Sequence, residues 1–209
     1  APDGGPPEAN AWYVATTGDT ANDGLTASAP KRYLNNLFAG SLNAGGTVLV
    51  GEGDTVYVAA GTYSETIAID TDYVTIAGVD SGTTILDYGD SGAVLGAVGI
   101  LAETVTGLAL QDLQVRNSDD GIYWLNVDNG RLLRVWTRWC GSDGISLNYG
   151  SDSATITDCA SSDNSARGLV NASACDYQAI TGGWFALNGS HGIYFTGGSG
   201  HYLGGNTFS

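Results

Sequence analysis

Apolar and polar positions alternate over short stretches of this chain, and the second half repeats one stretch at a fixed interval. Ile122, Ile145, Leu169 and Ile193 each follow a glycine, and these four glycines are spaced by 23, 24 and 24 residues. A repeat of this length indicates stacked supersecondary units, each too small to bury its own apolar face.

Runs of strand-forming residues keep the same interval. One predicted column of stacked strands comprises residues 108–110, 132–134, 155–157, 179–181 and 202–204. Parallel strands in successive coils would lie about 4.8 Å apart, with the four apolar residues pointing inward. Asn117, Asn164 and Asn188 would form an amide ladder at one corner, interrupted by Cys140.

The N-terminal part has a different pattern. Residues 1–11 are rich in Pro and Gly and predict a loose arm, whereas residues 12–46 predict a strand, a loop and a capping helix that begins near Pro30. The apolar positions at helical spacing are Tyr33, Leu34, Leu37, Phe38 and Leu42. Residues 47–209 then predict the repeated coils.

Composition and charge limit the classes of molecule that this protein could bind. The chain has 22 acidic and 7 basic residues, a net charge of −15, so nucleic acid and a bare anionic membrane would be repelled. A polyuronate would also be repelled unless cations bridged it, whereas neutral glycans or divalent cations suit such a surface. No apolar run approaches transmembrane length, so we expect no membrane insertion.

The chain contains no Met, and its start at Ala1 is typical of a product of signal-peptide removal. We therefore expect a secreted or cell-surface protein, with a recombinant fragment as the other explanation. The three Cys residues fall in different columns of the repeat, which favours small buried side chains over one disulfide.

Residues 53–65, GDTVYVAAGTYSE, resemble the opening coil of the pectin-lyase-like superfamily. Residues 12–42 are similar to the N-terminal cap of those proteins, and the Asn-x-x-x-Gly-Ile phrases resemble their coils. The resemblance covers most of residues 12–209 and implies an all-β fold. That fold is a right-handed, single-stranded parallel β-helix with coils of about 23 residues and a short N-terminal capping helix. It does not specify an activity.

The residues before the four repeat glycines form the sharpest catalytic hypothesis: Asp120, Asp143, Arg167 and His191. Two carboxylates one coil apart would be about 5 Å from each other, a spacing that retaining glycosidases use. The phrases around Asp120 and His191 are similar to polygalacturonase motifs, but an extra coil separates them and the only Lys is Lys31. The alternative is that these residues simply form the turn.

A uronate lyase is a second catalytic hypothesis, since it needs a basic residue and usually Ca²⁺. The available bases are Arg116, Arg131, Arg134, Arg138 and Arg167. An arginine stacked on Trp136 or Trp139 is the structural alternative.

Aromatic side chains offer a non-catalytic site, because aromatic faces bind sugar rings. The candidate glycan-binding residues are Tyr123, Trp124, Trp136, Trp139 and Tyr194. Part of the wider aromatic set must fill the core instead, and strand alternation predicts that Tyr123 and Tyr194 point outward.

The loop at residues 18–24 could hold Ca²⁺ through Asp19, Asn22 and Asp23. The alternative is a loop closed by Asx turns. No cofactor is otherwise required.

The chain stops at Ser209 within a further copy of the strand column, and we expect another surface to complete the edge at Leu203, Asn206 and Phe208. That surface could be later coils of a longer chain or another subunit. The sequence therefore predicts a secreted, non-catalytic, self-assembling unit of an extracellular filament or surface layer, with glycan contact as an added role. The alternatives are a polysaccharide lyase or glycoside hydrolase, and a carbohydrate-binding module.

Overall fold

A computed structural model describes residues 9–38, 49–89, 97–172 and 174–209. These residues form 21 short strands. In chain order, β1–β21 are Ala11–Val14, Thr55–Val58, Gly61–Tyr63, Ile67–Ile69, Thr75–Ala77, Thr84–Asp87, Ile100–Thr106, Ala109–Gln111, Gln114–Arg116, Ile122–Asp128, Arg131–Leu133, Trp136–Arg138, Ile145–Asn148, Thr155–Thr157, Ala160–Ser162, Arg167–Asn171, Ala179–Thr181, Trp184–Ala186, His191–Phe195, Tyr202–Gly204 and Thr207–Phe208.

The strands form three parallel sheets, and each strand pairs with the equivalent strands of the coils before and after it. Sheet A has the order β1-β2-β5-β8-β11-β14-β17-β20. Sheet B has the order β3-β6-β9-β12-β15-β18-β21, and sheet C the order β4-β7-β10-β13-β16-β19. The predicted parallel β-helix is therefore confirmed.

The interior is built largely from in-register apolar columns of sheets A and C. Sheet A contributes Trp12, Val56, Ile76, Leu110, Leu132, Ile156, Ile180 and Leu203. Sheet C contributes Ile67, Ile100, Ile122, Ile145, Leu169 and Ile193, which confirms the predicted inward column. Burial of these columns on folding supplies the main stabilising free energy, at about 25 cal/mol per Å² of apolar surface.

Each coil turns at three corners, and a residue with a left-handed backbone, with φ between 52° and 72°, marks most of these turns. Between sheets A and B these residues are Asp112, Arg134, Asp158, Gly182 and Gly205; between B and C they are Asn117, Trp139, Asp163 and Leu187; between C and A they are Tyr73, Gly107, Asn129, Ser153, Tyr177 and Gly200. Most of them are not glycine. Glycine enrichment therefore has a second cause, which the repeat glycines reveal.

The repeat glycines lie where neighbouring coils approach most closely. A Cβ on Gly144 would lie 2.0 Å from Ser161 Oγ and 2.5 Å from Thr137 Oγ1, inside the bore of the helix. A Cβ on Gly121 would lie 2.5 Å from the carbonyl oxygen of Gly144. These glycines provide space, because none of them has a positive φ.

The amide ladder is present with one correction. Asn164 donates to Asn188 Oδ1 from both its backbone N–H (3.1 Å) and its side chain (3.0 Å), and Cys140 N–H donates to Asn164 Oδ1 at 3.0 Å. Ser118, rather than Asn117, lies next to Cys140, with 3.7 Å between Oγ and Sγ. The prediction for Asn117 was wrong by one residue, because that corner is one residue shorter.

The capping helix is not seen. Residues 28–38 form turns and bends, and the part of the predicted helix at 39–46 lies outside the described residues. Leu34, Leu37 and Phe38 are fully buried, so the apolar pattern marked a packed cap rather than a helix. Strand β1 joins sheet A as its first strand, so the cap is continuous with the coils.

Cys140, Cys159 and Cys175 are buried and unpaired, which confirms the interpretation as small core side chains. Burial raises the pKa of Cys140 and of Cys159 to about 12. Within the part of the chain that the structure describes, no helix is long and apolar enough to cross a membrane.

The close approach at Gly144 predicts a large effect of one methyl group. We expect Gly144→Ala to lower the free energy of unfolding by about 1–3 kcal/mol, because Ser161 and Thr137 must move. Gly51→Ala is the matched control, since its Cβ would make only an ordinary contact of 3.7 Å with Asp54 Oδ2, and the change should stay within about 0.5 kcal/mol. Urea denaturation compares the two, and equal effects would contradict this explanation of the repeat glycines.

Candidate functional site

The four residues of the catalytic hypothesis lie in one column at the start of the sheet C strands. Asp143 N–H donates to Asp120 Oδ1 at 3.0 Å, and Arg167 N–H donates to Asp143 Oδ1 at 3.0 Å. Arg167 is in register with His191. The predicted stacking of these residues is therefore found, and each carboxylate holds the backbone of the next coil.

Arg167 occupies the carboxylate of Asp143. Its guanidinium donates from Nε to Oδ1 at 2.8 Å and from Nη2 to Oδ2 at 2.7 Å, and the Asp143 side chain is only 5% exposed. These hydrogen bonds raise the pKa of Arg167. Asp143 is therefore committed to an ion pair, whereas a general acid must be able to reach a substrate.

The other members are not arranged around a shared substrate position. Burial, with a smaller contribution from the charge of Asp143, raises the pKa of Asp120. His191 is exposed, and its ring lies 4.7 Å from the ring of Tyr194.

A second column repeats the same backbone contact where no catalytic residue was expected. Asp152 N–H donates to Asp128 Oδ1 at 3.3 Å, Asp176 N–H to Asp152 Oδ1 at 2.6 Å, and Ser199 N–H to Asp176 Oδ1 at 2.6 Å. Aspartates therefore brace two corners of the coil by one mechanism. This favours the turn interpretation for Asp120 and Asp143.

Most arginines considered as lyase bases pair with an aspartate rather than converging. The pairs are Arg116–Asp87, Arg134–Asp112, Arg138–Asp163 and Arg167–Asp143. The guanidinium carbon of Arg138 also lies 4.4 Å from the ring centre of Trp139, which confirms the predicted arginine–tryptophan stack.

The aromatic candidates divide between the core and two outer faces. Trp124 is fully buried, so its assignment to glycan binding was wrong; Gly130 leaves room for its indole inside the bore. Tyr123 and Tyr194 point outward from sheet C as predicted, and Tyr194 carries the guanidinium of Arg167 at 5.6 Å. Trp139 is 45% exposed at a corner.

The outer face of sheet B contains a groove between two indoles. Trp136, Ala160 and Trp184 are paired in register on three successive coils, so the two tryptophans stand on either side of an alanine. The groove has a volume of about 230 Å³ and is also lined by Arg138 and Ser162. Both indoles are about 40% exposed. We name this feature the Trp136–Trp184 slot.

Sequence reasoning found one wall of the slot and missed the other. Trp184 belongs to the wider aromatic set but was not chosen as one of the five glycan-binding candidates, although it occupies the position of Trp136 two coils later. The available signal was the alignment of the triplets at 136–138, 160–162 and 184–186, in which the middle residue points inward and the first outward.

The residues proposed for Ca²⁺ bond to their own loop. Asp19 Oδ1 accepts Ala21 N–H at 2.9 Å and Asp23 Oδ1 accepts Leu25 N–H at 3.0 Å, while the Asn22 side chain donates to the Pro30 carbonyl at 2.8 Å. The two aspartate contacts are Asx turns, and the asparagine contact ties the loop to the segment that follows it. Among the described residues, no group of three or more His, Cys, Asp or Glu side chains could hold a metal.

The residues of the expected assembly edge differ in their exposure and in their hydrogen bonds to the preceding coil. Leu203 and Phe208 are about half exposed. Asn206 is tied to the preceding coil, donating to the Ile180 carbonyl at 2.8 Å and accepting Gly183 N–H at 2.9 Å.

Solved structures with similar folds include polysaccharide enzymes. Pectate lyase Pel9A has a TM-score of 0.68 and 16% identity, over 86% of this chain and 54% of that chain. ORF18 of Geobacillus virus E2 has a TM-score of 0.63 and 19% identity, over 83% of this chain and 36% of that chain. An alginate lyase from Paenibacillus sp. str. FPU-7 has a TM-score of 0.56 and 14% identity, over 75% and 70%.

These likenesses concern the fold alone at such identities. The chain spans 54% and 36% of the first two proteins, and thus only part of their length. A search of curated protein sequences gives no match.

A protein-family model covers most of the coils. The model described as periplasmic copper-binding protein (NosD) matches residues 68–209, from within β4 to the last coil, which is more than half of the chain. Together with the parallel β-helix, this match shows that the chain belongs to the NosD family of pectin-lyase-like β-helix proteins.

Proposed function

We propose that this protein is a non-catalytic, glycan-binding β-helix that works outside the cytoplasm. The observation that carries the proposal is the Trp136–Trp184 slot, which is apolar, open to solvent and rigidly built on three paired strands. Exposed indoles stack on the C–H faces of sugar rings, and a strand scaffold fixes their positions. The periplasmic description of the family agrees with a location outside the cytoplasm.

The contacts within the column of Asp120, Asp143, Arg167 and His191 favour a binding role over catalysis. Asp143 and Arg167 form an ion pair with two hydrogen bonds. The carboxylates of Asp120 and Asp143 each also accept a backbone N–H from the next coil. Breaking this pair for chemistry would leave Asp143 buried without its partner, which costs free energy. A glycosidase mechanism through this column is therefore poorly supported.

The family description names copper, and the residues of this chain do not fit a copper site. Copper prefers thiolate, thioether and imidazole ligands, but the sequence has no Met, three Cys and two His. His201 lies with one ring nitrogen 3.3 Å from Gln178 N and the other 3.3 Å from the Gly197 carbonyl. The exposed His191 stacks on Tyr194, and all three thiols are buried.

Loss of either slot indole should weaken binding to a neutral polysaccharide. We expect Trp136→Ala and Trp184→Ala each to raise the dissociation constant about threefold to tenfold, because each removes one stacking surface. Affinity electrophoresis in gels containing soluble neutral glycans measures this. Tyr149→Asn is the matched control: Tyr149 is 73% exposed outside the slot, and asparagine tolerates its positive φ. An equal effect of all three variants, or no retardation of the parent chain, would refute the proposal.

If the column of Asp120, Asp143, Arg167 and His191 is structural, replacing its two carboxylates should have different effects on the free energy of unfolding. Asp143→Asn should lower the free energy of unfolding by about 1–2 kcal/mol at neutral pH, since it removes the charge that Arg167 binds.

Asp120→Asn should leave stability equal or higher at neutral pH. Its raised pKa means that the folded state favours the protonated form, so the ionised carboxylate is destabilising above that pKa. The advantage of Asn should shrink as pH falls through the pKa of Asp120. Thermal melts from about pH 3 to about pH 8 check both variants, because carboxylates titrate within this interval. A stability loss for Asp120→Asn equal to that of Asp143→Asn would contradict this account.

Self-association, with a structural role in a filament or surface layer, stays a prediction. The half-exposed Leu203 and Phe208 are the residues expected to take part. Light scattering of the purified chain tests it: particles larger than one chain would support assembly, and a monomer at high concentration would rule it out.

A further inference from the structure

The two walls of the Trp136–Trp184 slot are set by the spacing of the sheet. Trp136 and Trp184 are each one strand away from Ala160, so their Cα atoms are separated by two strand spacings, on the order of 9.6 Å. The side chain of Ala160 is too short to fill the gap, and it forms the floor. The opening therefore has a width that the sheet fixes at the backbone.

That width accommodates one sugar ring edge-on. A van der Waals contact spans about 3.5–4.0 Å, so contacts from one ring to both indoles need about 7–8 Å between the walls. Two strand spacings exceed this by about 2 Å, so both contacts form when the indoles lean towards each other, whereas two stacked rings need about 10.5–12 Å and would not fit. A ring held in this way presents both of its faces to aromatic carbon.

Contact on both faces makes the slot sensitive to sugar configuration. A pyranose with only equatorial substituents shows axial C–H groups on both faces, so both faces can stack. An axial hydroxyl would press a polar group against one indole and lose its hydrogen bond to water without replacement, which is unfavourable.

The polar groups of the slot lie on the C-terminal side of the floor. Ser162 Oγ is committed to Asp163 Oδ2 at 2.8 Å, and the nearest contact of Arg138 to Asp163 is 3.5 Å from Nη2. A guanidinium has five N–H donors, so Arg138 keeps donors for equatorial hydroxyls that project from the ring edge. The net charge of −15 favours an uncharged ligand over a polyanion.

We infer that the slot clamps a single neutral, all-equatorial pyranose ring, of gluco or xylo configuration, and discriminates against rings with an axial hydroxyl. This inference rests on the proposed glycan-binding function and specifies its ligand class. Trp136 and Trp184 act together as the determinant of configuration, and Ala160 sets the depth of the clamp.

Two oligosaccharides that differ at one carbon test the inference. Cellotetraose and β-1,4-mannotetraose have the same length, linkage and charge, and differ in that the C2 hydroxyl is equatorial in the first and axial in the second. Isothermal titration of the full chain should give a dissociation constant about tenfold lower for cellotetraose. Trp184→Ala should weaken cellotetraose binding and reduce the ratio between the two sugars towards one, because a single wall contacts one face only. Ala160→Leu, which fills the floor, should abolish binding of both sugars while circular dichroism shows an unchanged fold.

The outcomes separate the inference from the function on which it rests. Equal binding of both tetrasaccharides, or a preference that survives Trp184→Ala, would overturn the clamp and leave glycan binding intact. Failure of both sugars to bind, together with no retardation in any neutral-glycan gel, would overturn both. Cellotetraose binding that is unaffected by Ala160→Leu would place the ligand elsewhere and also overturn the clamp.

Discussion

In-register hydrogen bonding between equivalent residues of successive coils is the constraint on which this structure depends. Each strand pairs in parallel with its counterpart one coil away, and the corners are joined in the same direction by side-chain acceptors such as Asp143 and Asn164. A coil that gained or lost a residue would shift its inward column to the outer face, unless a corner absorbed the change. The near-constant repeat length and the glycines at the closest approaches follow from this constraint.

The same constraint decides which polar residues are free for function. Aspartates at the coil corners accept backbone N–H groups from the next coil, and Arg167 fills the remaining acceptor positions of Asp143. These residues resemble a catalytic pair in sequence but stabilise the stack in the fold. On the outer face of sheet B, by contrast, Trp136, Ala160 and Trp184 carry no carboxylate or amide of this kind, and they form the proposed binding slot. The proposed glycan site therefore lies on the outer face, whereas the contacts that stabilise the stack lie at the corners and in the bore.

The sequence predicted the fold well because the repeat is itself the fold. The column of Ile122, Ile145, Leu169 and Ile193 could be located from spacing alone. Asn117 was misplaced by one residue, because a shortened corner is invisible until the strands are paired. The capping helix failed because Leu34, Leu37 and Phe38 satisfy helical spacing and yet pack from turns.

The site was harder to predict, because a slot is made by residues 48 positions apart that become neighbours only through register. Trp136 was identified and Trp184 was not, while Trp124 was included although alternation from Ile122 points it inward. The proposed function requires that the slot receives the glycan. Indole N–H resonances in ¹H–¹⁵N spectra test it most directly, since the chain has five tryptophans. Adding cellotetraose should shift the signals of Trp136 and Trp184 and leave those of the buried Trp12 and Trp124 unchanged; unchanged slot signals alongside bound sugar would contradict it.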